Sequence, residues 1–261
     1  KKEGGMVGKM KILALDSSGL VASVALTEDD LLVAEYDIQY KKTHSQTLLP
    51  MLGEIRDMTE LDMSSVDAVA LAAGPGSFTG LRIGSATAKG LGFALGIPIV
   101  EIPTLEGLAY NLYGAADYIC PMMDARRGQV YTGVYEFVKE DGEGADGVPA
   151  GYSIQTVEPQ CAVAVEEIAG KLNDFGRRVI FLGDGVPVYR QRLAELMRVE
   201  YSFAPAHMNR QRAASVAALA GIYFRKGKTV PAAEHAPVYL RPSQAERERD
   251  GRNMAARQEA T

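Results

Sequence analysis

The chain of 261 residues holds two cysteines and three histidines, too few of either to staple a secreted domain or to build a histidine-rich metal centre. Cys120 and Cys161 lack C-x-x-C spacing, so reduced, buried thiols are expected. His44, His207 and His235 are scattered without metal-ligand spacing, which assigns them to surface or capping positions. No stretch approaches the ~18 to 20 consecutive apolar residues that a membrane span needs. The opening KKEGGMVGKMK has no apolar signal-peptide core, and a cytoplasmic protein without membrane contact is expected. Positive charge is not in excess either. The 28 lysines and arginines stand against 33 aspartates and glutamates, a formal net charge of -5, which excludes a broadly basic nucleic-acid surface while leaving room for a local patch. G-x-S-x-G is missing, and with it the nucleophile elbow of a serine hydrolase.

What is present is a large apolar fraction, 47%, enough to fill one large domain or two small ones. The most informative stretch is GPGSFTGLRIG, residues 74 to 84. An apolar run, VDAVALA, precedes it and reads as a buried strand, and a helix from about Thr79 to Leu95 follows. Gly74, Gly76 and Gly80 permit close approach of another backbone, and Pro75 ends the strand. A strand, a glycine turn and a helix start together raise the question of an anion site. Both familiar phosphate motifs fail on spacing. The third glycine comes one residue late for G-x-G-x-x-G, and no Gly-Lys-Ser/Thr follows. The spacing fits a ligand loop and a plain turn into a helix equally well, with Gly74, Gly76 and Ser77 as candidate contacts. Ser77 has no identifiable base.

The order of elements is written twice. KILALD ends in Asp16, turns through Ser17, Ser18 and Gly19, and returns as VASVALT; a third strand, LLVAEYDI, and a helix near 44 to 58 follow. Pro50 is expected to kink that helix or mark its start. YICPMMD ends in Asp124, turns through Ala125, Arg126, Arg127 and Gly128, and returns as QVYTGVYEF. A glycine-rich excursion at 139 to 151, a helix near 162 to 174, the strand RVIFL, the turn Gly183-Asp184-Gly185 and another helix follow. Two lobes of strand-strand-strand-helix-strand-helix predict an α/β protein of the actin-like ATPase fold, shared by sugar kinases, Hsp70 and ribonuclease H. The expected division is a disordered or added leader at 1–9, with Met6 or Met10 as native start, lobes at 10–114 and 115–241, and a solvated charged tail at 242–261.

Gly80, Gly84, Ala88, Gly92 and Gly96 fall at steps of four, a shallow groove on one helix face. The groove suits the helix at 44 to 58 of the same lobe, a helix of another chain, or both.

HSQTLLPML at 44–52, AAGPGSFTGLRIG at 72–84, PMMDARRGQVYTGVY at 121–135 and LGDG at 182–185 together resemble the bacterial TsaB family, also called YeaZ. The match covers most of residues 10 to 241. The resemblance implies a non-catalytic dimerisation subunit that pairs with TsaD, an active paralogue of similar fold, and with the small ATPase TsaE. It further implies a role in transferring threonylcarbamoyl from threonylcarbamoyl-AMP to the adenosine beside the anticodon of tRNAs reading codons that begin with A. The chain would then meet tRNA through the complex and form a homodimer when alone.

The same resemblance locates a missing metal site. The active paralogue carries a metal-binding His-x-x-x-His where this chain reads Thr104-Leu105-Glu106-Gly107-Leu108. Threonine is a poor ligand and leucine none, so no metal is expected there, and Thr104 is expected to cap a helix after Pro103. In ATPases of the fold, strand-end carboxylates comparable to Asp16 and Asp124 hold Mg-phosphate, but Ser17, Ser18 and the bulky Arg126 and Arg127 spoil the small-residue turns. No cofactor is expected in the isolated chain, and no catalytic residue. An ATP-dependent phosphotransferase or a glycoprotease-like peptidase is the alternative. The expected partner surface combines Leu48, Leu52 and Ile55 with the groove at Gly84 and Ala88.

Overall fold

Lys11–Asp16 forms β1, and its residues alternate between two buried layers: Leu13 and Leu15 enter one, Ile12 and Ala14 the other. That two-sided burial explains a continuous apolar run where a half-exposed strand would alternate with polar residues. In this computed structural model, which describes residues 9–142 and 151–241, β1 is the middle of a five-stranded sheet. It pairs antiparallel with β2 (Ala22–Glu28), which pairs antiparallel with β3 (Leu31–Ile38). On its other side it pairs parallel with β4 (Ala68–Gly74), which pairs parallel with β5 (Ile99–Pro103). The helices α1 (His44–Met58) and α2 (Phe78–Leu95) connect these strands.

The second half repeats the plan strand for strand. Tyr118–Asp124 (β6) pairs antiparallel with Gln129–Lys139 (β7), which pairs antiparallel with Tyr152–Ala164 (β8). Val179–Leu182 (β9) lies parallel to β6, and Tyr201–Phe203 (β10) lies parallel to β9. Both sheets therefore have the same order with the repeat's third strand at one edge and its fifth at the other, the actin-like arrangement. Each repeat is longer than the anticipated six elements. A fifth strand and a third helix close it: α3 (Thr104–Ala109) in the first half and α6 (Ala213–Arg225) in the second.

Those two closing helices do not stay with their own halves in the simple way a cut at 114/115 implies. The layer of Ile12, Ala14, Ala25, Val100 and Ile102 on the first sheet is covered by Ala213, Val216, Ala217, Leu219 and Ala220 of α6. Leu105, Leu108 and Ala109 of α3 pack instead on Ile119, Met123 and Tyr135 of the second sheet. The two helices meet between the sheets, where the Tyr223 hydroxyl donates to Glu106 at 2.9 Å. The outer faces are covered locally, by α1 and α2 on the first sheet and by α4 (Val165–Phe175) and α5 (Gly185–Leu196) on the second. The leader at 1–8, most of the excursion at 143–150 and the tail at 242–261 lie outside the described residues.

Boundaries moved where pairing overrode local pattern. Residues 162 to 164, expected to begin a helix, continue β8 because Ala162, Val163 and Ala164 pair with Tyr131, Val130 and Gln129, so α4 starts at Val165. Pro50 does not start α1, which begins at His44 with the Thr43 N–H donating to the Gln46 side chain at 3.2 Å. The proline lies inside the helix, where it removes one backbone donor.

Candidate functional site

The first strand-end turn and the glycine loop pack against each other, and Asp184, beside the second strand-end turn, lies close enough to act on Asp16. β1 delivers Asp16 at 3% exposure. Its Oδ1 accepts from the Ser18 N–H at 2.8 Å and the Ser18 hydroxyl at 2.6 Å, closing the turn into β2. Burial, opposed by those bonds and reinforced by Asp37 and Asp184, pushes the Asp16 carboxyl up to about 6. The glycine loop packs directly on this turn. The Ser77 N–H donates to the Ser18 carbonyl at 2.7 Å, and the Ser17 hydroxyl donates to the Gly80 carbonyl at 2.9 Å. A Cβ at Gly76 would overlap the Ser18 carbonyl oxygen, and one at Gly80 the Ser17 carbonyl oxygen. Ser77 caps α2 by accepting from the Gly80 N–H at 3.3 Å.

These contacts give the glycines a structural use. They permit close approach of the chain's own β1–β2 turn, and the Ser77 and Gly80 N–H groups are engaged within the chain. The other side of the loop is engaged too. The Val238 N–H donates to the Ala73 carbonyl at 2.7 Å, and a Cβ at Gly74, whose φ is +126°, would overlap the Val238 carbonyl oxygen. The Gly74–Pro75 peptide bond is cis. His44 joins the same assembly through a 2.9 Å bond from its ring to the Gly19 carbonyl.

In the second lobe, Asp124 does not act alone. Its N–H donates to Asp184 at 3.2 Å, and its carboxylate accepts from the Arg126 N–H at 2.9 Å and pairs with the Arg126 guanidinium at 3.4 Å. Burial raises the Asp184 carboxyl above the ordinary range, while Arg210 acts in the opposite direction. Arg210 spans the cleft, donating to the Gly183 carbonyl at 3.1 Å and to Gln39, just past β3, at 3.2 Å. Beside it Gln211 is 1% exposed and lies flat against Gly19, and its amide atoms have no partner among the described residues. Together with Val21, Asp37 and His207 these residues border a cavity of about 370 Å³. Asp184, Arg210 and Gln211 were not singled out from the sequence. The strand-glycine-aspartate pattern at 182–185 held the signal for Asp184, whereas nothing local marks the other two.

The residues that stand where the resemblance puts the paralogue's histidines are buried. Thr104 and Leu108 are fully or almost fully buried. Thr104 is the first residue of α3 and Pro103 holds the cap position, so the threonine does not cap the helix. Its hydroxyl reaches across to accept from the Gly74 N–H at 3.1 Å. Leu108 belongs to the core of the second lobe. Glu106 remains between them, raised by burial and held down by the Tyr223 hydroxyl. Among the described residues no group of three or more His, Cys, Asp or Glu side chains could hold a metal ion.

The side chains expected at a partner surface are buried in the chain itself. Leu48, Leu52 and Ile55 lie in the first-lobe core, and Ala88 is 0% exposed. The small-residue stripe faces its own lobe: a Cβ at Gly84 would sit 2.5 Å from the Ser17 hydroxyl oxygen, and one at Gly92 2.8 Å from Ala232. These side chains are therefore spent on packing. Leu49 and Met58 of α1 and Phe93 of α2 are all more than half exposed. Of the cysteines, Cys120 is buried, with its thiol pushed up to about 12, and Cys161 is half-buried. No helix among the described residues is long and apolar enough to cross a membrane.

Residues 33–249 match the family model of TsaD, tRNA N6-adenosine threonylcarbamoyltransferase. The chain is 32% identical over 240 residues to a Bacillus subtilis protein named tRNA threonylcarbamoyladenosine biosynthesis protein TsaB, covering 91% of this chain and 96% of the relative. It is 29% identical over 238 residues to the Escherichia coli protein of the same name, covering 89% and 95%. The solved structure of YeaZ from Pseudomonas aeruginosa superposes with a TM-score of 0.70 at 28% identity, over 88% of this chain and all of that one.

Proposed function

We propose a partner-subunit role for this chain, which belongs to the TsaB family of tRNA threonylcarbamoyladenosine biosynthesis proteins. In this reading it performs no chemistry. It pairs with a TsaD-type catalytic subunit, assisted by a TsaE-type ATPase, in the transfer of threonylcarbamoyl to the adenosine beside the anticodon.

The observation that carries the reading is the glycine loop bonded onto its own strand-end turn, Ser77 N–H to the Ser18 carbonyl and Ser17 hydroxyl to the Gly80 carbonyl. A nucleotide phosphate at this loop would need N–H donors, and the Ser77 N–H is already given to the Ser18 carbonyl. Thr104 and Leu108, built into the interior at the metal position implied by the catalytic paralogue, point the same way. A cytoplasmic location follows from tRNA as the substrate of the complex.

The contact with the catalytic subunit is assigned to the outward side of α1 and α2, around Leu49 and Phe93. These are large apolar side chains with no covering element among the described residues, and in the absence of the partner the same face supports a homodimer.

The test is threonylcarbamoyl transfer to tRNA in a purified system of a TsaC-type synthase, TsaD, TsaE, ATP, threonine and bicarbonate, with and without this chain. Modification is expected only with the chain present, while the chain alone neither hydrolyses ATP nor modifies tRNA. Equal modification after its omission overturns the reading.

A further inference from the structure

The segment running to Arg241 joins both lobes at one rim of the molecule and gathers cations and aromatic rings that the packing does not consume. On the first lobe, Val238 is bonded to Ala73, and the Tyr239 ring lies 4.7 Å from that of Phe78. The Arg82 guanidinium sits 4.0 Å from the Phe78 ring centroid. Two residues beyond Tyr239, Arg241 donates to the Ala125 carbonyl at 2.8 Å. That carbonyl belongs to the turn carrying Arg126 and Arg127, which leave the backbone at φ +65° and +58°. Four guanidinium groups and two rings are thus strung along one edge from α2 to the β6–β7 turn.

Among the described residues the charges there are largely uncompensated. Arg126 pairs with Asp124 at 3.4 Å and is 83% exposed, whereas Arg82, Arg127 and Arg241 have no carboxylate partner among the described residues. Tyr239 is 39% exposed. In a chain of net charge -5, such a cluster is a local reversal of sign. An acidic protein would answer the arginines alone. A nucleic acid strand answers both features, with phosphates on the guanidinium groups and a base stacked on the ring.

We propose that this rim, Arg82, Tyr239, Arg241, Arg126 and Arg127, contacts a single-stranded stretch of RNA, and that the strand belongs to the tRNA on which the complex acts. The identity of the RNA rests on the partner-subunit reading; the chemistry of the rim does not. The chain thereby takes a share of substrate binding besides its pairing with the catalytic subunit.

The experiment titrates unmodified tRNA against the reconstituted complex of this chain with TsaD at several salt concentrations, for the native chain, the Arg82→Gln/Arg127→Gln double variant and Tyr239→Ala. The Arg82 and Arg127 side chains are exposed and make no hydrogen bond among the described residues, so the double variant is expected to keep its fold, checked by its melting curve. For a single-stranded RNA the slope of log K against log salt falls by about 0.7 for each phosphate that is no longer neutralised, hence by roughly 1.4 in the double variant. Tyr239→Ala is expected to weaken binding by roughly ten-fold, the loss of one stacked base. Unchanged slope and affinity in both variants overturn the proposal. So does a double variant that loses affinity for TsaD while its tRNA slope is preserved, which would make the rim a protein interface. If the purified system modifies tRNA without this chain while the slope still responds to the arginines, the partner-subunit reading fails and the RNA contact stands. If modification needs the chain and the slope does not respond, only the RNA contact falls.

Discussion

The Thr104 hydroxyl accepts the Gly74 N–H at 3.1 Å and so ties the first turn of α3 to the end of β4, with both groups buried. Gly74 has no side chain to shield this donor, and the proline after it has no N–H to offer. Thr104→Val keeps the shape and removes the acceptor. The loss of a bond to a buried N–H is expected to cost about 1 to 3 kcal/mol, read as a shift of the urea midpoint at constant slope. A serine at 104 should recover most of it, and a small loss for valine beside a larger one for serine would show that packing, not the hydrogen bond, is what the site needs.

Two glycines of α2 make a matched pair. A Cβ at Gly80 would collide with the Ser17 carbonyl oxygen, whereas one at Gly90 meets nothing within 4 Å. Gly80→Ala is expected to destabilise by about 1 to 3 kcal/mol or more. Gly90→Ala should stabilise by up to about 1 kcal/mol through helix propensity alone. Thermal unfolding of the two variants decides it; similar changes in both would mean that the loop and the turn do not pack as described.

Asp16 governs a pH dependence of stability. Its carboxyl is pushed up to about 6 in the folded chain, while an aspartate in an unfolded chain titrates near 3.9, about 2 units lower. Between those values the folded chain binds more protons than the unfolded one, so stability falls as pH rises from about 4 to about 6 and stays lowered above that window. The shift corresponds to a cost on the order of 3 kcal/mol. Asp16→Asn retains an oxygen for the Ser18 donors and removes the charge. The variant is expected to be more stable than the native chain at pH 8 and nearly equal to it at pH 4. A constant difference across that range would contradict the assignment.

Phe93→Asp and Leu49→Glu alter exposed side chains, so both should leave the melting temperature within a degree or two, as surface substitutions of about ±0.5 kcal/mol do. Sedimentation of the variants with TsaD is expected to show loss of the complex. Ala88→Glu behaves differently: Ala88 is 0% exposed, and a buried, unpaired carboxylate there should unfold the first lobe. A folded Ala88→Glu that merely lost its partner would return the interface to the small-residue stripe.

The repeat, the strand ends at Asp16 and Asp124, the helix behind GPGSFTG and the family were legible in the sequence because each is written in local pattern. Legibility stopped where contacts are distant in sequence. A row of small residues reports that something comes close, but the same row suits a neighbouring helix, a foreign helix or a strand turn, and here it meets Ser17. Thr104 has the right type for a helix cap and stands in the right place, yet Pro103 takes the cap and the hydroxyl serves a strand some thirty residues earlier. Gln211 and Arg210 acquire their position only when the two lobes close. The α6 helix carried no motif at all, so nothing marked it as the cover of the first sheet.

That exchange of closing helices bears on synthesis. As the chain leaves the ribosome, Ile12, Ala14, Ala25 and Val100 are made early, and the residues that cover them, 213 to 220, come only after the last strand of the second sheet. Until then that face of the first sheet has no cover of its own. A nascent chain halted between the two is therefore an aggregation hazard, not a half-assembled protein.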